Sequence, residues 1–177
     1  YGAKKRQCEL EIANGDTGSM AWTILRPGHI YGPGSVLGCL PDHSRNPKLL
    51  DHMKSGEPLK LVGGGYLLQQ PIFAPDLAEL ILSCAGNENS KGQTFNSAGP
   101  DIIESKKYYE IIGDVLGVEV SFEEIPVDEY LRQHPDKDAF ICHRIYDLTR
   151  LKEAGLAVPS TSIQDGLRAH TESLLGA

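Results

Sequence analysis

Tyr1 and Lys5 are the two residues whose types and spacing could do chemistry together, at the ends of Tyr1-Gly2-Ala3-Lys4-Lys5, a Y-x-x-x-K pattern. Residues four apart on a helix share one face, so the phenol and the ammonium can share a site. A free tyrosine has a pKa near ~10, too high for efficient proton exchange at neutral pH. A fixed cation beside it favours the phenolate and lowers that value. A phenol tuned in this way exchanges a proton with a carbinol oxygen while a hydride moves to or from a nicotinamide. The same five residues also suit a surface tyrosine beside a solvated Lys4-Lys5-Arg6 run, and the pattern alone does not separate the two. Glu9, four residues after Lys5, is placed for an ordinary surface pair with it, worth roughly a few tenths of a kcal/mol.

The elements that must position this pair begin with a helix from Tyr1 or earlier to about Ala13, stopped by Asn14-Gly15. Ala21 to Leu25 reads as a buried strand ended by Pro27-Gly28. A turn-rich stretch from Gly28 to Pro47 follows, with Pro33, Pro41 and Pro47; loops of this length in a compact domain are functional, disordered or broken by short helices. Asn46-Pro47 opens a helix through Met53, closed by Ser55-Gly56. Leu59 to Val62 and Gln70 to Phe73 are predicted strands around Gly63-Gly64-Gly65, which reads as a hairpin turn. Pro75-Asp76 opens an apolar helix, Leu77 to Cys84, with Asp76 as its cap. Gln93 to Asn96 is a strand, and an amphipathic helix then carries Tyr108, Ile112, Val115 and Leu116 on one face before Gly117. Val118 to Ile125 is a strand; Val127 to Gln133, Leu148 to Ala154 and Ile163 to Leu175 are helices. Strands alternate with helices, so the class is α/β.

Composition narrows the partners. The 177 residues are 40% hydrophobic and 23% charged, as in soluble globular proteins. A formal net charge of −7 disfavours nucleic acid as a bulk partner. No apolar run reaches the roughly 20 residues of a membrane span. Cys8, Cys39, Cys84 and Cys142 form no C-x-x-C pair, which points to free thiols in a reducing, cytoplasmic setting, with Cys8 and Cys84 as small core residues. Asp42-His43 hints at a metal, but two ligands in a loop are too few, so no metal is expected. No G-x-G-x-x-G follows a strand and opens a helix, so the chain lacks the glycine-rich loop of a complete dinucleotide-binding fold.

Downstream of the first helix, Arg26-Pro27-Gly28-His29-Ile30-Tyr31-Gly32-Pro33 resembles the L-R-P-x-x-x-Y-G-P segment of extended short-chain dehydrogenases, the NAD-dependent epimerase/dehydratase family. Gly56 to Glu79 is similar to that family's strand, glycine turn, second strand and D-L-A helix; Gln93 to Ala98 resembles its strand returning to the sheet. Asp147 to Leu156 and Ser162 to Glu172 resemble its C-terminal tail. The likeness runs in order along nearly the whole chain. It implies the C-terminal part of a Rossmann-like fold, starting at the Y-x-x-x-K motif, with the smaller substrate-binding subdomain and without the N-terminal dinucleotide-binding half. Residues 1–30 would end the Rossmann-like domain and 31–177 would form mainly the substrate-binding subdomain, with 70–98 returning to the main sheet.

The resemblance implies roles residue by residue. Tyr1 would be the acid/base, and Lys5 would tune it and bond the ribose of NAD or NADP. Pro27, with Gly28, His29 and Ile30, would line the nicotinamide. His29 falls where many sugar-nucleotide members place a substrate-touching Asn, and it reads equally as a loop histidine bonded to backbone. Gln69 stands where such members often carry an arginine for the substrate diphosphate; lacking that fork, it puts a UDP- or dTDP-sugar in doubt. Arg144 reads as the other phosphate-holding arginine or as a surface residue, with Arg132 a weaker candidate. Asp42, His43 and Arg45 are the loop residues expected to set specificity.

The implied activity is oxidation and reduction at a carbinol, as an epimerase or dehydratase of a sugar or nucleotide sugar, by a homodimer, with the 177-residue piece inactive alone. An alcohol or ketone reductase and a non-catalytic ligand-binding relative are the alternatives.

Overall fold

The computed structural model describes residues 2–39, 41 and 45–176. Along the chain the elements are α1 (Gly2–Asn14), β1 (Thr23–Pro27), β2 (Ile30–Tyr31), α2 (Leu49–Ser55), β3 (Leu59–Val62), β4 (Leu68–Gln69), β5 (Ile72–Phe73) and α3 (Ala74–Cys84). They continue as β6 (Gln93–Ser97), β7 (Ile103–Glu104), α4 (Ser105–Leu116), β8 (Phe122–Ile125), α5 (Val127–Gln133), α6 (Thr149–Glu153) and α7 (Ile163–Leu175). Among the described residues the strands pair two by two. β1 runs parallel to β6, β2 to β5 and β3 to β8, while β4 and β7 are antiparallel.

Two cores follow from this pairing. Leu80 of α3 and Leu151 of α6 cover Phe95 of β6, with Leu25 of β1 against them. The larger core gathers Tyr31, Met53, Leu59, Tyr108, Ile112 and Leu167 from β2, α2, β3, α4 and α7. α4 can supply that core because its apolar residues recur at helical spacing, and Gly117 in the left-handed region ends it. Ser162 caps α7, its hydroxyl accepting from the Asp165 N–H at 3.1 Å.

The chain departs from sequence expectation where a local signal met a long-range partner. Gly63–Gly65 is not a hairpin turn, since β3 and β4 pair with β8 and β7 instead of with each other. The triplet is a 3-10 turn with all three glycines at positive φ, and a Cβ on Gly65 would come 2.7 Å from Leu61 Cδ1 and 3.0 Å from Lys106 N. Of the expected Gln70–Phe73 strand only Ile72–Phe73 forms, as β5, after Pro71, which has no N–H to donate; β4 lies just before it, at Leu68–Gln69. β8 starts only at Phe122, because Val118 is spent closing α4, its N–H donating to Gly113 O at 3.0 Å. β2 and β7, of two residues each, carry no periodicity that sequence reading could detect.

Asp76 does not cap its helix. α3 begins two residues earlier, at Ala74, and the Asp76 carboxylate accepts from the N–H groups of Ser160 and Thr161 (2.9 and 2.8 Å) and the Thr161 hydroxyl (2.6 Å). Glu9 pairs with Arg26, Nε to Oε1 at 3.0 Å, tying α1 to β1. α1 buries no residue, so Cys8 is exposed and not part of a core. Among the described residues no helix is long and apolar enough to cross a membrane.

Candidate functional site

β1 ends at Pro27, and the chain there is pinned from three sides. The Gly28 N–H donates to Ser97 O at 2.8 Å, and the Ile72 N–H donates to His29 O at 2.9 Å. A Cβ on Gly28 would meet Gln70 O at 3.0 Å and the Tyr146 ring at 3.3 Å, so glycine is what the space accepts. Residues 143–146 run alongside β4. The Arg144 N–H donates to Leu68 O (2.8 Å), the Leu68 N–H to His143 Nδ1 (3.0 Å) and the Tyr146 N–H to Gln70 Oε1 (2.7 Å). Gln70 completes the link through Nε2 to Gly99 O at 2.9 Å.

These contacts shape a cleft of 310 Å³ lined by Pro27, Gly28, His29, Ile30, Arg45, Arg144 and Tyr146. It lies at the carboxyl end of a parallel strand, where open α/β folds bind ligands. A larger hollow of 420 Å³ lies between α2 and the end of α7. Its walls mix aliphatic residues, Val36, Leu37, Leu50, Leu174 and Leu175, with Asn46, Asp51 and Lys54, and no candidate residue lines it; the candidate residues gather in the smaller cleft.

The cleft is electrostatically one-sided. Its described lining carries two guanidinium groups and no carboxylate. His29, its ring edge-on to Tyr108 at 6.2 Å, is pushed down to about 4, first by burial and then by the Arg45 and Arg144 charges, against a hydrogen bond to the Gly38 backbone. It is a neutral imidazole at pH 7. Arg144 is held from behind, Nη1 donating to Phe140 O (3.2 Å) and Cys142 O (3.4 Å) and Nη2 to Ala139 O (3.4 Å). Arg45 is exposed, and its side chain makes no hydrogen bond or ion pair among the described residues. Burial, and then nearby carboxylates, raise the Tyr31 phenol; burial raises that of Tyr108. Neither offers a low-pKa phenol to the site.

Of the expected site residues, Pro27, Gly28, His29, Ile30, Arg45 and Arg144 come together in this cleft. Gln69 does not line it. It is buried, and both amide atoms lack a partner among the described residues; opposite Ile103, it shares the sheet face that packs on the core. Lys5 is exposed on α1, outside the cleft lining, and Arg132 is an exposed residue paired with Asp128. Tyr1, Asp42 and His43 lie outside the described residues. Tyr146 and Gln70, which sequence reading missed, meet across 76 positions, a contact with no local signature.

The model of the family described as "NAD dependent epimerase/dehydratase family" matches residues 1–98, more than half of the chain. The chain belongs to that family. Among curated proteins it is similar to dTDP-4-dehydro-6-deoxy-D-allose reductase of Streptomyces bikiniensis, 28% identical over 131 residues, or 73% of this chain and 36% of that protein. Among solved structures it is similar to UDP-glucose 4-epimerase of Thermotoga maritima, with TM-score 0.77 and 19% identity over 99% of this chain and 53% of that one. It also resembles UDP-N-acetylglucosamine 4-epimerase of Methanobrevibacter ruminantium, with TM-score 0.78, 19% identity and the same two coverages. The chain thus spans about half the length of these solved structures and about a third of the curated reductase. At such identities the structures show the fold alone, an α/β fold of the epimerase kind.

The family's cofactor is a nicotinamide dinucleotide. Pro27 and Gly28 fit its ring end, since they bring an apolar ring and bare backbone to the end of β1. Its phosphate end needs successive N–H groups at a glycine loop opening a helix. Gly63–Gly65 does not supply that, since it lies between β3 and β4 and opens no α-helix, with Gly65 packed against Leu61 and Lys106.

Proposed function

We propose that this chain forms the substrate side of an NAD(P)-dependent enzyme that acts on a sugar or nucleotide sugar by transient hydride transfer, as an epimerase or dehydratase. The observation that carries the reading is the cleft at the carboxyl end of β1, where Pro27 to Ile30 meet Arg45 and Arg144. In this reading Tyr1 is the acid/base, Lys5 tunes it and bonds the nicotinamide ribose, and Pro27 with the backbone after it lies along the ring. The family supports the general chemistry, and the nucleotide-sugar names of the relatives support the substrate class.

Net reduction, in which the hydride of NAD(P)H stays on the product carbon and oxidised cofactor is released, is the second reading, favoured by the curated relative's being a reductase. The dinucleotide-binding half belongs to the same proposal. β1 pairs with β6 alone among the described residues, so its other edge is open to a further parallel strand. A homodimer formed through α1, whose Leu10 is exposed, completes it; a monomer in sedimentation at micromolar concentration would remove that part.

Turnover of the protein joined to its dinucleotide-binding half is the direct test. Tyr1→Phe should abolish it while leaving cofactor binding nearly unchanged. Unaltered turnover takes Tyr1 out of the mechanism, and cofactor binding with no turnover of any sugar nucleotide, even before substitution, favours a non-catalytic relative.

A further inference from the structure

We infer that Tyr109 of α4 and His170 of α7 are positioning residues of the cleft, each clamping one end of residues 32–39, the backbone on which the His29 ring rests. Neither side chain lines the cleft. Their effect on ligand binding rests on the substrate-side reading of the cleft.

The chain leaves the cleft after Ile30 and comes back to it at Arg45. Residues 32–39 belong to no strand or helix, yet Leu37, Gly38 and Cys39 are buried. Their backbone N–H and C=O groups must therefore find partners outside a ladder. His170 turns both ring nitrogens to one turn. Its Nδ1 accepts the Gly32 N–H at 3.1 Å, and its Nε2 lies 2.9 Å from Ser35 O. The turn closes on itself as the Ser35 N–H and hydroxyl both donate to Gly32 O, at 3.2 and 2.9 Å. The Tyr109 hydroxyl acts in the same way at the other end, accepting the Cys39 N–H and donating to Cys39 O, both at 3.0 Å. A hydroxyl both donates and accepts, so one oxygen bonds both polar groups of that backbone residue. Between the clamps, Leu37 O accepts the Asn46 N–H at 2.9 Å.

The helices that carry the clamps form one platform. Tyr108 and Ile112 of α4 share the larger core with Ile163 and Leu167 of α7. A Cβ on Gly166 would collide with the Tyr31 hydroxyl, so α7 is seated directly against β2. From Tyr109 the path to the cleft is short. Cys39 adjoins Gly38, whose backbone bonds the His29 ring, and that ring also lies edge-on to Tyr108 at 6.2 Å. His29 lines the cleft. Removing the Tyr109 hydroxyl takes one bond from each polar backbone group of a buried residue, and the loop recovers such bonds by moving toward water. Gly38 moves with it, and His29 loses cover.

The first measurement needs no ligand. The His29 ring signals are followed by NMR in the 177-residue chain and in Tyr109→Phe, His170→Asn and His170→Leu. The range runs from about pH 7.5 to about pH 5.5, around the ordinary histidine value. Wild-type His29 should stay neutral throughout, held down by burial first and then by the Arg45 and Arg144 charges and the His170 ring. In Tyr109→Phe and His170→Leu it should become protonated within the range. His170→Asn, whose side-chain oxygen can still accept the Gly32 N–H, should fall between. An unchanged His29 titration in all three variants, whatever happens to the thermal unfolding midpoint, means that the clamps serve stability alone and overturns the inference. UDP-glucose is then titrated by calorimetry into the protein joined to its dinucleotide-binding half. Binding should weaken roughly tenfold in Tyr109→Phe, as for a binding-competent loop populated to about a tenth, with His170→Asn losing less than His170→Leu. Unchanged affinity beside an altered His29 titration also overturns the inference, because the loop then moves without consequence for the ligand. No binding to the wild type removes the UDP-sugar part of the substrate reading, and the His29 titration still decides the inference.

Discussion

His170 shows how much a single neutral side chain organises around the cleft loop. It is fully buried on α7, accepting the Gly32 N–H at Nδ1 (3.1 Å) with Nε2 2.9 Å from Ser35 O. A carbonyl only accepts and an amide only donates, so the ring is the tautomer protonated at Nε2. Protonating Nδ1 would break the Gly32 bond, and burial accordingly lowers the His170 pKa, as burial and the arginines lower that of His29 to about 4. In the unfolded chain both histidines titrate near about 6.5. Above that value both states are neutral and stability is complete. As pH falls below it the unfolded chain takes up protons that the folded chain refuses, and stability falls until the folded histidines titrate. The slope reaches up to about 1.4 kcal/mol per pH unit for each histidine. Urea unfolding between pH 7 and 5, above the range of most carboxylates, should show this decline, and His170→Gln should flatten it. A wild-type profile flat over that interval would contradict the burial of both rings.

Among the elements, the C-terminal segment matters through its anchors more than its helices. Residues 143–146 lie against β4 and place Arg144 and Tyr146 in the cleft, while Ser160 and Thr161 hang on the Asp76 carboxylate of α3. Asp76 is nearly buried with three donors, so removing it strands the Ser160 and Thr161 amides. Asp76→Ala should cost on the order of 3 kcal/mol in chemical denaturation, given the worth of hydrogen bonds to charged groups. Asp76→Asn, which keeps acceptor capacity on one oxygen, should lose less. Equal losses in both variants would mean that the charge and not the acceptor geometry holds the tail. By contrast Glu9 and Arg26 are solvent-facing, and their pair contributes little to stability despite good geometry.

For the whole molecule, the decisive feature is what the sheet around β1 leaves open. A parallel pair is normally the interior of a wider sheet covered on both faces, yet here α3 and α6 cover one side of β1 and β6 while α1 buries nothing. The cleft at the end of β1 is formed, and no glycine-rich loop that follows a strand and opens a helix is found in the sequence. The 177-residue chain should therefore show no saturable binding of NAD(H) or NADP(H) at micromolar cofactor by fluorescence or calorimetry. Saturable binding at that level would mean that another part of this chain holds the phosphates.

Much of this was legible in the residues. Alternating periodicities marked the α/β class, α5 and α7 fall where the pattern puts them, and Gly56 and Gly117 end their helices in the left-handed region as expected. The ordered motifs from Arg26 to Leu156 pointed to the family that residues 1–98 match. These are local signals, set by spacing and by backbone freedom within a few residues. What only the tertiary structure decided were the partners. It showed that β3 and β4 never meet each other, that Asp76 serves the tail and Glu9 serves Arg26, and that Gln69 turns to the core while Gln70 holds Tyr146. It also brought Arg45 and Arg144, 99 positions apart, to one cleft. Such contacts depend on how distant segments fill shared space, and no short-range pattern records which of two adjacent glutamines will bond the Tyr146 backbone.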